Sequence, residues 1–170
     1  MICTINDNNI IINIVNTNSI TAENQRKCYD WNRVGEKYTD EMPLDYAKKE
    51  KLAEINAWTA AKITGGFISE ASGEAVTYDS DKDTQLTMQG IALNVNTELF
   101  IKKYPAGCPV RGYTESAKSK SIIMLTAEQV MQWCADLSMH IGTCKQDGWV
   151  KQAEISAAQS KEELEKIVLE

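Results

Sequence analysis

Two apolar stretches open the chain, Ile2–Ile5 and Ile10–Val15, with Asn6-Asp7-Asn8-Asn9 between them. Asn and Asp tolerate the left-handed backbone of tight turns, so the pattern predicts a β-hairpin. Thr21-Ala22-Glu23-Asn24 then reads as the opening of a short helix, with Thr21 as N-cap and Glu23 in the first turn. That helix is expected to fade by Gly35. Residues 36–43 read as a linker, and Pro43 suits the start of the next helix.

From there the period lengthens. Leu44, Ala47, Leu52, Ile55, Thr59 and Ile63 fall near one face of a helix over 44–64, which Gly65-Gly66 ends. Phe67-Ile68 and Ala75–Tyr78 predict two short strands joined by a turn at Ser72-Gly73. Ser80-Asp81-Lys82-Asp83 places capping and acidic residues at the start of another helix, whose apolar content is Leu86, Ile91, Leu93 and Val95. A loop with Pro105, Gly107 and Pro109 follows. A second strand pair, Val110–Thr114 and Ser121–Leu125, is joined by the polar stretch 115–120. Thr126-x-x-Gln129 is a capping box. It opens a long helix carrying Val130, Trp133, Cys134, Leu137 and Ile141 and running to about Ala158, with Gly148 as a point of weakness. Ser160-Lys161-Glu162-Glu163 caps a terminal helix. The chain therefore reads as α+β. A hairpin, short helix and linker occupy 1–43, and a compact domain of order α–ββ–α–ββ–α–α occupies 44–170.

Charge narrows the function. The net charge is −6 over 170 residues, and no basic run is longer than a pair such as Lys48-Lys49 or Lys102-Lys103. Phosphate-backbone binding needs clustered Lys and Arg, so nucleic acid is not an expected partner. No apolar run approaches the roughly 20 residues that span a bilayer, so no membrane partner is expected either. Met1 to Ile20 lacks the basic start of a signal peptide, which predicts synthesis and retention in a cytoplasm. Five cysteines at irregular spacing, with no C-x-x-C pair, predict packed thiols rather than a disulfide framework.

The candidate chemistry is thin. Asp79-x-Asp81-x-Asp83 resembles the start of a calcium loop, but Thr84 stands where that loop needs Gly, and Gly90 where it needs Glu. Capping explains the same residues. Cys134, His140 and Cys144, with Cys108 from afar, offer soft metal ligands without the tight pairs of a structural zinc site. His140 is the one histidine, and no nucleophile motif accompanies it. No phosphate-cradling glycine loop is present, and Gly65-Gly66 reads as a helix stop. These readings predict no cofactor, no metal and no enzyme. The large aromatics are the better lead, because amphipathic rings anchor protein interfaces. Trp31, Trp58, Trp133 and Trp149 all fall on predicted helices. Trp133 reads as core and Trp31 as interface. Tyr29 and Trp31, with Ile10, Ile12 and Ile14 of a hairpin that gains stability by pairing, are the expected partner-binding residues.

From Lys51 onward the sequence resembles a small domain of unknown function found near the C-terminus of bacteriophage tail and tail-fibre accessory proteins. The matching residues are Lys51, Ile55-Asn56-Ala57, Gly66-Phe67, Val76-Thr77-Tyr78-Asp79-Ser80-Asp81 and Gln85-Leu86. Further on come Leu125-Thr126-Ala127-Glu128-Gln129, the helix with His140, and Glu154 to Leu164. About 120 of the 170 residues are covered, by folding signals rather than chemistry. The segment 97–120 departs from the pattern, being longer, with Cys108 and two prolines, and with Tyr113 where a Trp-centred strand is usual. The resemblance implies a virion protein of a tail, baseplate or fibre. Its partners would be other phage tail proteins, or further copies of itself in a homo-oligomer. The alternatives are a tail-fibre assembly chaperone and a small host-directed inhibitory binder.

Overall fold

The Asn-rich turn folds as its residues demand. Asn6 Oδ1 accepts from the amides of Asn8 (3.1 Å) and Ile10 (2.9 Å), and Asn9 takes φ +60°. This turn joins β1 (Ile2–Ile5) to β2 (Ile11–Val15). The computed structural model describes residues 1–17, 19–114 and 119–169. Ile5 pairs with Ile11 whereas Thr4 pairs with Asn13, so Ile12 is an extra, bulged residue. The bulge shifts the side-chain alternation. Ile11 and Ile14 therefore turn inward with Cys3 and Ile5, while Ile12 stays exposed.

The helix expected from Thr21 does not form. Residues Gln25–Lys27 are instead a strand, β3, on the free edge of β1, giving the sheet order β2-β1-β3. Thr21 does not cap a helix; its amide donates to Gln25 Oε1 (2.8 Å). The backbone groups of 25–27 find their partners on β1, and this long-range pairing outweighs a weak local helix signal. Turns follow to residue 36. Trp31 thus lies in a turn, not on a helix.

Helix α1 (Leu44–Thr64) begins after Pro43, whose carbonyl accepts from Ala47 N (3.0 Å). On its expected face Ile55 is buried, Leu44, Ala47, Thr59 and Ile63 are half-buried, and Leu52 is exposed. Gly66, at φ +104°, turns the chain into β4 (Phe67–Ser69) and β5 (Val76–Tyr78). Helix α2 (Lys82–Asn94) starts from Asp81, which accepts from the amides of Asp83 and Thr84. Its inward residues are Met88, the half-buried Ile91 and, just past its end, Val95. Leu86 and Leu93, expected to supply its apolar content, point to water. The segment read as loop contains a further helix, α3 (Glu98–Lys103), capped by Thr97. The nearby prolines and Gly107 hid it. Strands β6 (Cys108–Thr114) and β7 (Ser121–Leu125) complete the antiparallel order β4-β5-β6-β7. Of the joining stretch 115–120, residues 115–118 lie outside those described. Helix α4 (Ala127–Ala157) runs through Gly148 unbroken, and Ser160 caps α5 (Lys161–Glu165).

The chain gathers into two units. One comprises Met1–Leu52 with Ile155–Val168, and the other centres on Ala53–Glu154. In the first, Cys3, Ile5, Ile11 and Cys28 form the core of the small sheet, with Ile14 and Tyr38 against it. In the second, one face of the four-stranded sheet packs Phe67, Val76, Tyr78, Val110 and Leu125 against Met88, Val130, Trp133 and Leu137 of the helices. Burying that many large apolar side chains is the main favourable term for this unit.

Candidate partner-binding surfaces

In the first unit three aromatic rings meet. Tyr29 stacks on Trp31 with centroids 4.7 Å apart and planes 3° apart, and Trp31 meets Tyr46 edge-on at 5.7 Å and 63°. Such ring pairs contribute beyond their buried area. Trp31 Nε1 donates to the Thr39 carbonyl (3.2 Å), and Asn32 Nδ2 donates to the same oxygen (3.0 Å). Asn32 is buried, and its Oδ1 accepts from Tyr29 N (2.9 Å), so the turn that carries the rings is tied from within. Lys27 Nζ lies 5.2 Å from the Tyr29 ring centre. All three rings are half-buried, which leaves part of each for a partner.

The isoleucines expected beside them are not gathered into one surface. Ile10 is half-buried and bridges Lys37, Ile14 packs on the sheet core, and Ile12 alone of the three is exposed, at 52%. Sequence reasoning found Tyr29 and Trp31. Tyr46 joins them only through a contact that spans the linker.

The residues weighed for chemistry have structural work in the second unit. His140 Nε2 lies 3.1 Å from the Lys62 carbonyl, which can only accept, so that nitrogen carries the proton and donates. Beside it Ser80 Oγ donates to Ile63 O (2.6 Å) and accepts from Gly66 N (2.8 Å). Together they satisfy carbonyls that the end of α1 leaves open. Cys144 Sγ lies 3.7 Å from His140 Nε2, and Cys134 Sγ contacts Met88 O at 3.6 Å. Burial raises the pKa of Cys108, Cys134 and Cys144 above the ordinary thiol value, which keeps these thiols protonated at neutral pH. Among the described residues no group of three His, Cys, Asp or Glu is placed to hold a metal ion. Asp81 is engaged as the α2 cap. Hydrogen bonds from the Thr84 hydroxyl and amide hold its carboxyl below the usual range. Asp79 pairs with Lys120.

Residues 46–168 match the family described as Domain of unknown function (DUF4376). The chain belongs to that family. No curated protein and no solved structure matches it. The DUF4376 match begins at Tyr46, the third ring of the aromatic cluster. Tyr29 and Trp31 lie in the segment before it.

The DUF4376 region has a surface of its own that sequence reasoning missed. On the face of the four-stranded sheet away from its core, Ile68 of β4, Tyr113 of β6 and Ile122 and Met124 of β7 are exposed at 65%, 42%, 69% and 47%. A signal was present. Ser121-Ile122-Ile123-Met124-Leu125 is an unbroken apolar run after its serine, which in a strand makes both faces apolar.

Proposed function

We propose that the chain is a non-catalytic bacteriophage tail-associated protein, a component of a tail, baseplate or fibre, that works through protein–protein contacts. The likeness of the segment after Lys51 to tail and tail-fibre accessory proteins supports the setting. The observation that carries the mode of action is the Tyr29–Trp31–Tyr46 cluster, three half-buried rings held by a hydrogen-bonded turn. Stiff, pre-ordered aromatics lose little entropy on binding, and a Trp or Tyr centred in an interface typically contributes about 2 kcal/mol or more. The partner in this reading is another tail protein, and the protein ends in the virion after synthesis in the host cytoplasm.

The test is quantitative mass spectrometry of purified particles, with the natural protein and with Tyr29→Ala and Trp31→Ala variants. The expected result is a fixed copy number per particle, reduced at least tenfold by Trp31→Ala and unchanged by Trp149→Ala, a 64% exposed tryptophan of α4. Circular dichroism of each variant separates lost binding from lost folding. Presence in the lysate with absence from particles would overturn the proposal in favour of an assembly chaperone or a host-directed binder.

A further inference from the structure

An antiparallel sheet with helices on one face ordinarily presents polar side chains on the other. This sheet does not. Register places Ile68 beside Thr77, Thr77 beside Tyr113, Arg111 beside Ile122 and Pro109 beside Met124, so these residues form one continuous outer surface. Its charges are few. Lys120 pairs with Asp79 and lies 5.3 Å from the Tyr113 ring centre, which neutralises the pair at the margin. Arg111 has no ion pair among the described residues, and its long stem allows the guanidinium to reach the rim.

We propose that this outer face is the seat of a second copy of the chain, packed sheet to sheet about a two-fold axis. Size is the first argument. The four apolar side chains leave roughly 400 Å² of apolar surface in water, the upper part of what monomers tolerate. With Thr77, Pro109 and Arg111 included, two such faces would bury about 1,200 Å² in total, the lower bound of a stable interface. Character is the second. A two-fold contact sets the same patch against itself, so the patch must be self-complementary. Apolar residues with one mobile cation meet that condition, whereas an acidic or basic partner would find little to pair with. Aligned sheets pack about 10 Å apart through such side chains, as in sandwiches. The inference is independent of the proposed tail role.

The test is sedimentation equilibrium of the full chain, in reductant because all five cysteines are free, from about 1 to 100 µM to span micromolar dissociation constants. The expected mass is twice the chain's 19.0 kDa. Ile68→Asp and Ile122→Asp, at opposite edges of the sheet, should each weaken the dimer at least tenfold. Their helix content should stay unchanged, because both side chains are exposed, and their melting temperature should lose its dependence on concentration. Leu93→Asp, 83% exposed on α2, should leave it intact. A monomer throughout the range would overturn the proposal. So would a dimer that Ile122→Asp weakens and Ile68→Asp does not, because that contact would run along the free edge of β7 instead.

Discussion

Gly148 sits in the middle of α4, where glycine is normally a cost, and it sits there because α1 leaves room for nothing larger. A Cβ at this position would lie 2.5 Å from Thr59 Oγ1, 3.2 Å from its Cγ2 and 3.4 Å from its Cβ. Thr59 must leave its rotamer or the two helices must part to relieve the contact, and its Cβ stays close in any rotamer. Gly142, on the same helix, has nothing within 4 Å of its would-be Cβ. Both glycines give up about 1 kcal/mol of helix propensity relative to alanine. Gly142→Ala should therefore stabilise by about 1 kcal/mol, raising Tm by roughly 2–4 °C in a chain of this size. Gly148→Ala gains the same propensity but incurs an overpacking cost of about 1–3 kcal/mol, so the net effect should be a loss of about 1 kcal/mol. Propensity cancels between the two variants, and their difference isolates the crowding. Thr59 offers the control, because its hydroxyl is buried with no hydrogen-bond partner. Thr59→Ala alone should be nearly neutral, and Thr59→Ala with Gly148→Ala should recover most of the loss. Urea unfolding followed by tryptophan fluorescence reads all four variants. If Gly148→Ala stabilises as Gly142→Ala does, or if the double mutant is merely additive, the helices are not in the close contact described.

Other changes have equally definite signs. Ser80→Ala removes the hydroxyl that serves both Ile63 O and Gly66 N at a fully buried site, so two backbone groups lose their partner; a loss of about 1–3 kcal/mol in urea unfolding is expected. Thr126→Ala opens the capping box, in which Gln129 N donates to Thr126 Oγ1 (3.3 Å) and Thr126 N to Gln129 Oε1 (2.8 Å), and should cost about 1 kcal/mol by the same measurement. Burial, and then the Cys28 thiol beside it, push the Cys3 thiol up to about 12 from an ordinary value of 9.0. The unfolded chain therefore loses this proton first. The stability is fully present below pH 9 and is lost as pH rises towards 12, with a slope of up to about 1.4 kcal/mol per pH unit for the one proton. Urea midpoints between pH 8 and 11 should fall more steeply for the natural protein than for Cys3→Ala; equal slopes would show that Cys3 is not the group responsible.

What could be read in advance was local. The Asn turn, the caps at Asp81, Thr126 and Ser160, and the stop at Gly65-Gly66 each depend on residues within four positions of one another, and all are found in the structure. What could not be read was decided at a distance. Residues 25–27 carry a helix-like preamble but pair with β1, and no pattern within the segment reports that edge. In α2 the apolar residues are spread around the helix, so periodicity alone does not choose Met88 over Leu86 or Leu93; the sheet beneath chooses. The candidate surfaces divide in the same way. Tyr29 and Trp31 stand out by composition, whereas Tyr46 joins them only by folding. Ile10, Ile12 and Ile14 take different exposures because one bulged residue, Ile12, breaks the alternation along β2.

The division of the chain also sets a timetable. The first unit needs both ends of the sequence: it includes Ile155, Ala158, Leu164 and Ile167, all buried, and Lys48 Nζ donates to the carbonyl of Ser156 (3.1 Å). On the ribosome the residues between, 53–154, are synthesised in full before that last stretch is made. The portion synthesised first is thus the portion completed last. The sheet core and the ring cluster draw on residues 3–46 alone and can form early, but the unit closes only once Ile155, Ala158, Leu164 and Ile167 have left the exit tunnel, so a chain cut short before them is damaged in the unit begun first.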